Sequence, residues 1–205
     1  MTPLLKGVLL GAVLAVVLGV ASALVFVKAT GLTARATPGP METAVARRVR
    51  ALAVPSDYAR RENPVPRTDE AVRDGMAHFA DHCAICHAND GSGDIEMGKA
   101  MFPPAPDMRK AATQDLSDGA LFYVIEHGIR FTGMPAWGTG TAVGEESSWH
   151  LVHFIRHLPR LTAAEIEEME AMNPRPPAEI RLEIEEERFL RGEAPAPASP
   201  PAHAH

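Results

Sequence analysis

Eight of the eleven aromatic residues (Phe79, Phe102, Phe122, Tyr123, Phe131, Trp137, Trp149 and Phe154) fall between positions 79 and 154 of this 205-residue chain. Large aromatic side chains dominate core burial, so one compact core is confined to that stretch. The flanks are too poor in large side chains to build a second core. Within the window the apolar spacing is helical. Thr68 before Asp69-Glu70-Ala71 reads as an N-cap with acids in the first turn, and Val72, Met76, Phe79 and Ala80 form a stripe running into Cys83. A second helix is expected from Leu116 or Ser117 to His127, stopped by Gly128. A third is expected from about Ser147 to Leu158, closed by Pro159, with Trp149, Leu151, Val152, Phe154, Ile155 and Leu158 inward. No strand pattern interrupts them, so the expected fold class is all-α.

The chain divides into four regions. Residues 1–28 contain 21 uncharged residues between Lys6 and Lys28, about 32 Å as a helix, which matches a hydrocarbon core of roughly 30 Å. They read as an uncleaved transmembrane anchor. A cleavable signal peptide with Ala21-Ser22-Ala23 as its cleavage site is the rival, but signal cores usually span only about 7 to 15 residues. Residues 29–65, with four prolines and few large apolar groups, read as a linker. Inside it, Val45, Val49 and Leu52 lie opposite Arg47, Arg48 and Arg50, a pattern that fits either a short basic helix on anionic lipid or a solvated turn. Residues 66–160 are the domain, and residues 161–205 an acidic, weakly amphipathic tail ending in alanine and proline. The net charge of −6 is uneven: the linker side is basic, while 66–160 carries −5 and 161–205 carries −6. An acidic domain excludes nucleic acid as the expected partner. Two cysteines exclude a disulfide-dense scaffold and a four-cysteine zinc site.

Those cysteines stand in Cys83-Ala84-Ile85-Cys86-His87. Two thiols three positions apart at a helix end can each add to one vinyl group of a porphyrin, and the adjacent histidine can then reach the iron. A zinc site would need two further ligands at finger spacing, and a redox-active CxxC would need a βαβ setting. One covalently attached haem c is therefore the expected cofactor.

With this motif in place the chain resembles the class I c-type cytochromes over roughly residues 66–160. The matching parts are Gly75 and Phe79 leading into CAICH, the Asp90-Gly91-Ser92-Gly93 loop, FPPAPDM, GIRFTGMPAWG and the closing SSWHLVHFIRHLP. The resemblance implies a small helical fold around one haem with crossing first and last helices and His/Met ligation. Cys83 and Cys86 then look like thioether anchors, His87 like the proximal iron ligand and Met134 like the distal one. Met134 also has Gly133 and Pro135 on either side, which allow close approach and a fixed backbone angle. Met97, Met101 and Met108 are the alternatives. The second nitrogen of His87 needs an acceptor, and the resemblance places a proline carbonyl there, Pro106 or failing it Pro104. Trp137 is placed either to bond a haem propionate or to pack at the rim. His150, His153 and His157 recur on one helix face, a pattern that fits the polar side of that helix better than a metal site.

The expected activity is electron transfer, Fe(III)/Fe(II) cycling without bond chemistry, rather than an enzyme reaction. Redox proteins are the expected partners, with no small-molecule substrate. The alternatives are a haem subunit of a larger oxidoreductase complex, or a gas sensor or enzyme with a labile Met134. Basic residues flank the anchor on both sides and leave its orientation open. Haem attachment in this family takes place outside the bacterial inner membrane, which implies a single-pass protein whose domain faces the periplasm.

Overall fold

The computed structural model describes residues 2–31 and 33–192, and among them every regular element is helical. The elements are α1 (Pro3–Thr30), α2 (Pro40–Ala53), α3 (Ser56–Ala59), α4 (Asp69–His78), α5 (Ala84–His87), α6 (Glu96–Lys99), α7 (Ala111–Gln114), α8 (Asp118–His127), α9 (Ala142–His157), α10 (Ala163–Met172) and α11 (Pro177–Leu190). The Thr2 hydroxyl caps α1 by accepting from the Leu5 N–H. With a mean hydropathy of 2.8 and its length unburied, α1 is long and apolar enough to cross a membrane.

The domain is organised by α4 crossing α9. The contact is intimate because Gly75 has no side chain: a Cβ there would run into the His150 backbone carbonyl. Below the crossing, the rings of Phe79 and Phe154 pack at 5.2 Å, both essentially unexposed. Thr68 starts α4 by accepting from the Ala71 N–H at 3.1 Å, as its sequence position predicts. α8 joins through Phe122, stacked on Trp149 at 4.1 Å. Arg156 then ties the end of α9 to the start of α8, donating to the Asp118 carboxylate at 2.8 Å and to the carbonyls of Gln114 and Leu116.

The structure departs from the sequence reading in four places. α9 begins at Ala142, five residues early, capped by Thr141; its first turn is exposed and its one large apolar residue, Val143, faces solvent rather than joining the inward stripe. The end of the linker region packs on the domain: Tyr58 lies against Phe122 and Tyr123, and Asn63 donates to the Trp149 carbonyl at 3.0 Å. His153, expected on a polar face, is buried with Nε2 2.8 Å from the Val65 carbonyl. α10, expected as a solvated helix, places Met169 wholly inside the core, so packing continues past residue 160. The alanine- and proline-rich end, 194–205 with His203 and His205, lies outside the described residues.

Two substitutions test this packing. Gly75→Ala pushes a methyl group into a backbone carbonyl and should cost about 1–3 kcal/mol. Met169→Ala should cost about 2–5 kcal/mol if α10 is integral to the core. Denaturant midpoints of the full chain measure both, and an unchanged midpoint for Met169→Ala would detach α10 from the fold.

Candidate functional site

Helix α4 does not run regularly into the cysteine motif. It passes through a π-helical turn, Phe79–Cys83, before the single turn of α5. Turns of this kind occur often at functional sites. One added residue rotates the α5 turn by roughly 100° relative to α4. After His87 the chain reverses at Ala88, whose φ of 59° is unusual for a residue with a side chain. The His87 carbonyl then accepts from the Gly93 N–H at 2.8 Å.

Cys83, Cys86, His87 and Met134 all line one cavity of about 570 Å³, within the roughly 300–1,000 Å³ typical of cofactor sites. Its walls are mainly apolar: Ile85, Met101, Phe102, Pro103, Pro104, Ala105, Pro106, Ile129 and Pro135. The two cysteines are free of any disulfide. Burial, with Cys86 close by, pushes the Cys83 thiol up to about 12, and burial also raises Cys86. A thiol–disulfide reagent needs the opposite shift. These are half-buried neutral thiols facing a shared apolar space.

Burial lowers the proton affinity of His87, and the Pro106 carbonyl acts against it. A neutral imidazole is the form that ligates iron. Nδ1 of His87 is buried with no hydrogen bond of ordinary geometry, and the Pro106 carbonyl is the backbone acceptor that interacts with the ring. The paired thiols, the adjacent imidazole and the apolar cavity together fit a haem group.

Met134 lines the same cavity from a tight loop: its N–H donates to the Thr132 hydroxyl at 3.1 Å and its carbonyl accepts from the Ile129 N–H at 3.1 Å. Gly133 leaves room there for the Met101 side chain, whose Sδ occupies the place a Cβ would take. Of the three alternative methionines, Met101 shares the cavity, Met97 is exposed, and Met108 packs against the core. Trp137 also lines the cavity and meets His82 edge-on at 5.4 Å.

A family model described as cytochrome c oxidase, cbb3-type, subunit III matches residues 70–155. This stretch is a c-type cytochrome domain. Such a domain implies haem c and haem-based electron transfer. The matched stretch of the cytochrome domain begins in α4 and ends in α9, the two helices whose crossing sets the motif in place.

The three histidines of α9 have separate uses. His150 lies 3.6 Å from Asp74, His153 meets Val65, and His157 is 2.7 Å from Glu165. Among the described residues, no group of three His, Cys, Asp or Glu side chains is placed to hold a metal ion. The sequence reading missed the contribution of α2, whose Thr43, Arg47 and Arg50 line the cytochrome cavity. The only signal was the clustering of arginines on one side of that helix, which a lipid-bound helix shares.

The loop that carries Pro106 is pinned by charge. Arg109 grips Asp107 at 2.9 and 3.0 Å and reaches Asp90 at 2.8 Å, joining this loop to the one after the motif. The hydrogen bonds from Arg109 hold the Asp107 carboxyl well below the ordinary carboxylate value of about 3.9. A depressed folded-state value means that this stabilisation is complete above about pH 4 and is lost as pH falls below it. Asp107→Asn should therefore cost about 1 kcal/mol at pH 7. The gap between its denaturant midpoint and that of the native chain should narrow steadily as pH falls below about 4 toward the depressed folded-state value, and a gap that did not narrow would separate the effect from this ion pair.

Proposed function

We propose that this chain is a membrane-tethered one-electron carrier. It holds one haem c through thioether bonds from Cys83 and Cys86, with His87 and Met134 as axial ligands. The observation that carries this reading is the convergence of these four side chains on one apolar cavity. When bound, the haem stores one electron, and the protein's residues set the conditions. His87, neutral and oriented through Nδ1 toward the Pro106 carbonyl, is a strong and fixed ligand. Met134 on the other side raises the potential of the iron relative to a second nitrogen ligand. Proline and apolar walls keep water away, so filling both axial positions leaves no room for a substrate.

In this reading α1 is a single-pass anchor in a bacterial inner membrane, with the domain in the periplasm. An acidic domain suits donor and acceptor proteins with basic docking faces, and the association should weaken with salt. A second reading, a fixed subunit of a larger respiratory complex, is favoured by the subunit character of the matching family. Mild detergent extraction separates the two: a shuttle comes out alone, a subunit with its complex.

The decisive measurement is the absorption spectrum of the full chain, produced with a c-type haem attachment system. The oxidised protein should show a low-spin haem with a sulfur-to-iron band, and the reduced protein should not react with carbon monoxide. Met134→Ala should keep the haem attached and bind carbon monoxide readily, whereas His87→Ala should fail to assemble. An unchanged low-spin spectrum in Met134→Ala would transfer the ligand role to another residue, Met101 first.

A further inference from the structure

Helix α2 is docked by its polar face. Glu42, Thr43, Ala46, Arg47 and Arg50 line the cavity, a spacing that puts them on one side of the helix. The apolar residues Met41, Val45, Val49 and Leu52 point away and are 81%, 57%, 59% and 81% exposed. Burial of apolar surface therefore does not explain why this helix lies where it does.

Charge supplies a reason. Arg50 is half-buried and donates to the Ala112 carbonyl at 3.2 Å. Desolvation, and then Arg47 close by, lower its proton affinity. Neither Arg47 nor Arg50 has an ion-pair partner among the described residues, although both line an apolar cavity. Glu42 is the only acid on the helix, and its carboxylate accepts from the Gly39 N–H at 3.3 Å. Asp107 and Asp90, on the loops nearby, are held by Arg109. Arg47 is exposed, but Arg50 is an unpaired charge at a partly buried position, which is unfavourable, so the arrangement calls for an anion at the cavity beside them. Haem brings two carboxylates, its propionates.

We infer that Arg47 and Arg50 are the counter-charges for the haem propionates, and that α2 is a strap closing the haem cavity. This rests on the proposed haem site. The placement has two consequences. The arginines raise the reduction potential, because positive charge near the iron and neutralised propionates both disfavour the more positive oxidised state. The haem is also leashed closely: only residues 31–39 separate α1 from α2, a reach of about 30 Å at full extension.

The test uses the full chain with its attached haem and compares Arg47→Gln/Arg50→Gln with Arg48→Gln. The latter removes the same kind of charge from the same helix, at a position that does not line the cavity. Covalent haem per polypeptide is read first, from the denatured protein, and the potential second, by spectroelectrochemical titration. The double variant should keep its haem through the thioethers and shift the reduction equilibrium about tenfold toward the oxidised form, which is about 59 mV lower for one electron. Arg48→Gln should shift it less than twofold. Arg50→Lys, which keeps the charge, should stay close to the native chain. Equal shifts in the double variant and Arg48→Gln would overturn the proposal, as would an Arg50→Lys shift as large as that of Arg50→Gln. If the double variant lost its haem, the single Arg47→Gln and Arg50→Gln chains would carry the test at about threefold each. Absence of covalent haem in the unmutated chain would instead defeat the underlying reading of the site.

Discussion

The crossing of α4 and α9 at Gly75 is the constraint on which the rest depends. With no side chain at that position, the helix backbone comes against the His150 carbonyl, and Phe79 and Phe154 lock the angle beneath it. α4 is the helix that ends in the cysteine motif, so its placement decides where Cys83, Cys86 and His87 point. The π-helical turn between them makes the final rotation. α9 in turn anchors α8 through Trp149 and Arg156, and the loop carrying Met134 hangs between these two helices. The two sides of the cavity are thus set by one packing contact.

The cavity combines apolar walls with a charged rim. Its walls keep the thiols neutral and His87 unprotonated, which is the chemistry that a covalently held, axially ligated haem requires. The two arginines that line the cavity, Arg47 and Arg50, come from a helix outside the matched stretch, residues 70–155. The segment between the apolar N-terminal helix and the domain thus has a structural relation to the site that its composition hides.

Much of the core was legible because its signals are local. Thr68 and Ser117 cap the helices that their positions imply, and Gly128 ends α8. The apolar stripe of α9 packs inward as its period requires, with the rings of Trp149 and Phe154 among the least exposed. The candidate site was legible for a similar reason, since CAICH and the flanked Met134 declare themselves in a few consecutive residues. The features that escaped were set by contacts distant in sequence. Met169 belongs to an acidic helix of weak period, and only the shape of the domain offers it a buried place. His153 looks polar and solvated until the Val65 carbonyl, 88 positions away, is brought against it.

The sequence alone determined that one small helical core would form, that an apolar segment would precede it, and that two thiols and an imidazole would sit together at a helix end. These properties arise from periodicity, capping and adjacency, which act over a few residues. Only the tertiary structure decided that Met134 and His87 line one cavity, that Met101 and not Met97 or Met108 shares it, and that Arg47 and Arg50 line it as well. Those placements depend on helix packing, where a missing Cβ or an orphaned charge outweighs any local preference.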